Sequence, residues 1–285
     1  MLKKIGKIIL FLLIMIAILI GVVFYGTYVS VERVSLNYQS ITSSKIAPDL
    51  NNLQIAFVSD IHYNHFMNQE RLKPMIDKLN KANPDLIIFG GDLFDHPELN
   101  MPTPEIQSEI TNLLASLKAP LGKFAILGEQ DLMNENVKLM CEQILYNSDF
   151  EVISNRNIRI HRKSSASLSL VGIDSLLGGA PNVEAAFTNV SDQDFVLCVS
   201  HAPDIISQLP MNTISLFLAG HSHGGQIRIP LIGPLNKIEG AKDYVSGSYQ
   251  SKSAKIHISN GIGTTNSDIR IFAPAEILIY RLVSK

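Results

Sequence analysis

The stretch Leu53-Gln54-Ile55-Ala56-Phe57-Val58-Ser59-Asp60-Ile61-His62 decides how the chain folds. Its apolar run over residues 53–58 has the length of a buried strand. It stops at Asp60 and His62, two polar groups that are costly to bury unpaired. Side chains two apart at a strand end point the same way, so this pair can chelate one ion. The pattern recurs along the chain. Residues 86–89 form a second apolar run, ending at Gly90-Gly91-Asp92, and residues 124–127 a third, ending at Gly128-Glu129-Gln130-Asp131. Downstream, residues 195–199 precede Ser200-His201, and residues 215–219 precede Gly220-His221-Ser222-His223.

Helical stripes separate these runs. Leu72, Met75, Ile76 and Leu79 recur at helical spacing and are closed by Asn83-Pro84. Thr103-Pro104-Glu105 supplies an N-cap, a first-turn proline and an acid for a helix whose apolar face is Ile106, Ile110, Leu113, Leu114 and Leu117. Val137, Met140, Cys141, Ile144 and Leu145 line another. Near the start, Val34, Leu36 and Tyr38 alternate with Ser35, Asn37 and Gln39, as in a half-buried strand. The alternation predicts an α/β domain with polar loops at strand ends. Asp60, Asp92 and Glu129 then converge at the carboxyl edge of a sheet, where three carboxylates repel one another unless a cation lies between them.

Each histidine also has a structural reading. His221 and His223 share one face if extended, or reach neighbouring ions from a glycine-rich turn, but a solvated loop accounts for them equally well. His201 alone reads as a satisfied core histidine, and His65 and His96 as solvated rings in polar loops. Asp131 either supplies a proton or caps the helix that contains Val137 and Met140. The set as a whole reads as a metal centre: histidine nitrogens with carboxylate oxygens and no cysteine suit zinc, manganese or iron.

With 46% hydrophobic and 18% charged residues over 285 positions, the chain can bury a substantial core. A net charge of −2 excludes a nucleic-acid binder that relies on a broad basic face. Cys141 and Cys198 are too few for a disulfide framework. Lys3, Lys4 and Lys7 precede an apolar run over residues 8–25, which spans about 27 Å as a helix and so matches the hydrocarbon thickness of a bilayer. A cleaved signal peptide has a shorter apolar region and small residues at its cleavage site, whereas this run ends in Val22-Val23-Phe24-Tyr25. Residues 1–28 are therefore expected to be an uncleaved single-pass anchor with its N-terminus in the cytoplasm, and residues 29–285 an extracytoplasmic domain.

The ordered segments Ser59-Asp60-Ile61-His62, Asn83-Pro84-Asp85-Leu86-Ile87-Ile88, Gly91-Asp92, Ser200-His201-Ala202-Pro203-Asp204 and Gly220-His221-Ser222-His223-Gly224-Gly225-Gln226 resemble the calcineurin-like metallophosphoesterase superfamily. They are most similar to its membrane-anchored bacterial branch, which includes UDP-diacylglucosamine pyrophosphatase-like members. Ile269-Arg270 and Pro274-Ala275-Glu276 resemble that branch's closing strands. The resemblance implies a β-sandwich flanked by helices on both sides, and two divalent ions. Asp60, His62 and His223 would hold one ion, His201 and His221 the other, with Asp92 bridging. It implies attack on phosphorus by a metal-bridging hydroxide in a phosphate-containing small molecule or a lipid-linked substrate. The family has Gly-Asn-His where this chain has Gly128-Glu129-Gln130. Glu129 can still ligate and becomes a seventh candidate, but Gln130 cannot deliver the proton that the histidine would. The alternative implied by that departure is a catalytically impaired sensor or partner-binding module.

Overall fold

The computed structural model describes residues 2–163 and 166–285. Helix α1 (Leu2–Tyr25) is the apolar N-terminal run, about 36 Å long at 1.5 Å per residue. Its side chains lie almost entirely exposed, and it is long and apolar enough to cross a membrane. A π-helical turn, Gly26–Ser30, follows directly, and the expected boundary at residue 28 falls inside it. Val31 is buried, and Arg71 fixes this junction through Val31 O at 2.8 Å and the Glu32 carboxylate at 3.3 Å.

Two six-stranded sheets pack face to face. The first has the order β1 (Val34–Ser43), β14 (Ala275–Ser284), β2 (Gln54–Val58), β3 (Leu86–Phe89), β4 (Lys123–Ala125) and β5 (Phe150–Val152). The second has the order β12 (Gly247–Ser251), β13 (Ala254–Ile258), β9 (Leu216–Ala219), β8 (Phe195–Val199), β7 (Ser167–Gly172) and β6 (Arg156–His161). In the first sheet β2 to β5 run parallel, and in the second β7, β8, β9 and β13 do, so both present carboxyl edges. A two-stranded ribbon, β10 (Arg228–Ile229) and β11 (Gly233–Pro234), stands apart from both sheets.

Ile55, Phe57, Leu86 and Ile88 from one sheet meet Leu170, Leu197, Val199 and Leu218 from the other between the layers. Such fully buried parallel strands read as continuous apolar runs, which is why the sequence shows them so clearly. Helices α2 (Gln69–Ala82), α3 (Pro104–Ala115) and α4 (Glu135–Asn147) cover the outer face of the first sheet. Short turns, among them α5 (Val183–Ala186) and a 3₁₀ segment at Pro203–Gln208, pack on the outer face of the second.

Several local expectations hold. The Thr103 side chain accepts from Ile106 N, capping α3. Two need correction. Asn134, not Asp131, caps α4, its side chain accepting from Val137 N at 3.0 Å. Tyr38 is exposed, because β1 outruns the helical layer: Val34 and Leu36 pack under the helices, while Ile41 packs on the opposite face, against the inter-sheet core.

His257 on β13 lies 2.8 Å from the Tyr280 hydroxyl on β14, a polar link between the two sheets. Burial, helped by the Lys255 charge, pushes this histidine down to about 4. Its contribution to stability is therefore complete above the ordinary histidine pKa and is lost as pH falls toward 4. Between pH 6.5 and 4, chelator-treated protein should lose up to about 3 kcal/mol more unfolding free energy than chelator-treated His257→Gln, by chemical denaturation.

Candidate metal centre

The loops after β2, β3 and β4 meet the loops after β8 and β9 where the carboxyl edges of the two sheets adjoin. The β2 and β3 loops are laced together: Asp60 N donates to Gly91 O at 2.9 Å, and Ile61 N and His62 N both donate to Asp92 O. Asp60, His62, Asp92, His221 and His223 all have positive φ, between 49° and 68°. This left-handed backbone turns each side chain inward, at a cost on the order of 1–3 kcal/mol per residue that the surroundings must offset. Glycine makes the approach close enough. A Cβ on Gly91 would lie 2.4 Å from Gly128 N, and one on Gly128 would lie 2.1 Å from Asp92 Oδ1.

The result is two groups of side chains able to hold a metal ion: Asp60, His62 and His223, and Asp92, Glu129, His201 and His221. Asp92 Oδ2 lies between them, 3.6 Å from His62 Nε2 and 3.3 Å from His201 Nε2. Glu129 Oε2 is 2.9 Å from His201 Nε2, and its Oε1 is 2.8 Å from His221 Nδ1. His201 Nδ1 donates to Gly90 O at 2.6 Å and His221 Nε2 to Glu239 O at 2.7 Å. Each bond commits one nitrogen as a donor to a carbonyl and turns the other toward the centre, the usual device for orienting a metal-binding histidine. His62 Nε2, His201 Nε2, His221 Nδ1, His223 Nδ1 and Glu129 Oε2 are buried without a hydrogen-bond partner among the described residues. Buried orphaned acceptors of this kind, beside four carboxylates, fit divalent cations.

The electrostatics agree. Burial alone would raise Glu129, but the adjacent His201 and His221 outweigh it and hold the carboxyl well below the usual range. Burial, reinforced by the charges of His62 and Arg270, pushes His223 down to about 3 against the pull of Asp60, so its ring is neutral at pH 7.

All seven candidate ligands thus come together. The other candidates are placed differently. Asp131 is fully buried, accepting from Asp92 N at 2.8 Å, Leu93 N at 2.9 Å and Gly128 N at 2.9 Å. Burial and the Asp92 charge push it up to about 6 against those three donors. Both oxygens serve the backbone, so Asp131 braces the Asp92 and Gly128 turns and is not aimed at a leaving group. Gln130 Oε1 accepts from His96 N at 3.2 Å, while Gln130 N donates to Asp92 Oδ1 at 2.9 Å. The His65 and His96 rings are solvent-exposed, as expected, though each reaches within 4.0 Å of Asp95.

Two supporting residues were given no role from the sequence. Asp95 is buried with Oδ1 3.3 Å from His62 Nδ1, and it accepts from the Thr265 hydroxyl. Its signal was an acid three residues beyond Asp92 in an otherwise apolar segment. Arg270, fully buried, donates to the carbonyls of Asn260 at 2.8 Å and Ala273 at 2.9 Å, and reaches His223 O at 3.4 Å. The carbonyls gathered around it stabilise the buried charge. Its segment Ile269-Arg270 carried part of the family resemblance, but its role as a support depends on contacts the sequence does not show.

The geometry agrees with the comparisons. The profile described as calcineurin-like phosphoesterase matches residues 53–225, which run from the start of β2 to just past His223. The chain is 30% identical over 260 residues to the uncharacterized metallophosphoesterase YkuE of Bacillus subtilis, covering 91% of this chain and 89% of that one. It is 26% identical to the UDP-2,3-diacylglucosamine pyrophosphatase LpxG of Chlamydia muridarum, covering 81% and 84%. A transmembrane protein with metallophosphoesterase domain from Danio rerio is 25% identical, covering 83% of this chain and 54% of its own. The chain belongs to the calcineurin-like phosphoesterase family.

Proposed function

We propose that the chain is a two-metal hydrolase of phosphoester or pyrophosphate bonds, anchored by α1 with its site outside the cytoplasm. In this reading Asp60, His62 and His223 hold one ion, Glu129, His201 and His221 the other, and Asp92 serves both. The observation that carries it is the position of Asp92 Oδ2 between His62 Nε2 and His201 Nε2, at 3.6 and 3.3 Å. A pair of divalent ions supplies an activated water and charge stabilisation for a phosphoryl group. The chain's own residues supply the rest. His201 and His221 are oriented by carbonyls, Asp131 fixes the turn carrying Asp92, and Arg270 fixes the carbonyl side of His223.

Gln130 narrows the substrate class. Its carboxamide oxygen is taken by His96 N, leaving an NH₂ that can donate a hydrogen bond to a phosphoryl oxygen but cannot release a proton. Leaving groups that depart without protonation, such as a phosphate anhydride or a phenolate, are therefore favoured over alkoxides. A lipid-linked pyrophosphate satisfies this and suits a membrane anchor. The similarity to a relative named as a UDP-2,3-diacylglucosamine pyrophosphatase supports the same class.

Gln130 also favours a second reading, a metal-binding sensor or partner-binding module that has lost turnover. Hydrolysis of bis-p-nitrophenyl phosphate with added manganese separates the two: a rate well above the metal-free background is expected, and none on any ester or pyrophosphate would assign the chain to the second reading. Gln130→His should accelerate hydrolysis of alkyl phosphodiesters by roughly 10²-fold or more and change aryl esters little, in steady-state assays. Glu129→Ala should lower the metal content of purified protein from two ions toward one, read by elemental analysis, without unfolding it.

A further inference from the structure

The segment Ile229-Pro230-Leu231-Ile232-Gly233-Pro234-Leu235 has no charged side chain and none that can form a hydrogen bond. It forms the turn and return strand of the β10–β11 ribbon. Relative exposure reaches 107% for Leu231, 77% for Ile232 and 61% for Leu235, and the neighbouring Phe272 is 60% exposed. Single exposed apolar residues are ordinary, but a contiguous set on a projecting ribbon marks a surface that is covered in use.

Its position identifies the cover. At the ribbon's root, Arg228 N donates to Ile271 O and Ile271 N to Gln226 O, both at 2.9 Å. The same short segment carries the end of α1: Arg270 N donates to Gly26 O at 3.0 Å, and a Cβ on Gly26 would lie 2.7 Å from Ile271. The ribbon root and the point where α1 ends therefore flank one short segment, about two strand spacings apart. The exposed rings of Tyr25 and Tyr28 at that end suit a membrane–water interface. The ribbon is also tied to the metal centre at both ends, since its first strand follows His223 within five residues and Glu239 O holds His221 Nε2.

We propose that the β10–β11 ribbon and Phe272 insert into the bilayer leaflet from which α1 emerges, holding the mouth of the metal centre at the membrane surface so that it takes phosphate carried on a lipid. The inference rests on α1 being a membrane anchor. The flanking charges, Arg228, Lys237 and Lys242 against Glu239 and Asp243, are mixed in sign. Insertion is therefore driven by the apolar side chains and does not require anionic lipid.

The test uses the full chain reconstituted into phosphatidylcholine vesicles, with Leu231→Cys labelled by an environment-sensitive fluorophore. Cys141 and Cys198 are buried, so labelling of folded protein is confined to the introduced thiol. Tyr146→Cys, on the exposed face of α4, is the control. A shorter emission wavelength at position 231, with severalfold stronger quenching by lipids carrying spin-labelled chains than at position 146, is the expected result. Emission at 231 matching the aqueous control, in protein that resists alkaline carbonate extraction, overturns the ribbon's insertion and leaves the anchor standing. A shorter wavelength without lipid quenching means that protein, such as a second copy, covers the ribbon, and this also overturns it. Release of the chain by carbonate overturns the anchor and the inference together.

Discussion

Four carboxylates, Asp60, Asp92, Asp95 and Glu129, face one another where the two sheets adjoin, and the surrounding structure is organised to keep them there. Left to themselves they would repel, so the fold surrounds them with groups that favour negative charge. Backbone N–H groups of His221 and Gln130 bond to Asp60 and Asp92, and histidine rings lie between neighbouring carboxylates. Divalent cations would complete this balance, because inward-facing imidazole nitrogens and a Glu129 oxygen are left without a hydrogen-bond partner among the described residues. The same electrostatics that make the apo arrangement costly make it selective for a cation.

The sandwich divides the labour between its halves. The first sheet delivers the acids and His62, at the ends of β2, β3 and β4, and the second delivers His201, His221 and His223, at the ends of β8 and β9. Neither sheet alone carries a complete set, so the centre exists only when the inter-sheet core is packed. Strain is concentrated in the turns that follow the strands, where five ligands adopt left-handed backbone. The buried, largely apolar strands behind them supply the stability against which that strain is held.

Arg270 connects this centre to the N-terminal helix. Its guanidinium gathers the carbonyls of the 260–263 loop, which lies against Asp60, and reaches His223 O, while its own backbone N donates to Gly26 O. Burial lowers its pKa only to about 10, so it stays charged at neutral pH. The end of α1 and the first metal group therefore share one support, Arg270. The domain meets its helix at a buried junction formed by Gly26, Ser30 and Val31.

Much of this was legible in the sequence because its causes are local. Buried parallel strands show as unbroken apolar runs, helix faces repeat at 3.6 residues, and a ligand at a strand end needs only the strand before it to be recognised. That is how Asp60, His62, Asp92, Glu129, His201, His221 and His223 stood out, and how the apolar run over residues 8–25 and the cap at Thr103 did. The role of Asp131 could not be read in the same way. An acid ahead of a helix looks like a cap, and only the meeting of the Gly91 and Gly128 turns shows that it bonds three backbone amides instead. Asp95 and Arg270 matter through partners more than 30 residues away or through carbonyls that the fold gathers, and Gln130 through His96. The apolar ribbon is a surface loop by composition; its place beside the end of α1 comes from pairing with residue 271. The sequence by itself determined the strands, the ligand types and the apolar N-terminal helix, since each depends on periodicity or spacing within one segment. Tertiary structure alone decided which candidate ligands lie within reach of one another and which polar groups support them, because those depend on distances between segments far apart in the chain.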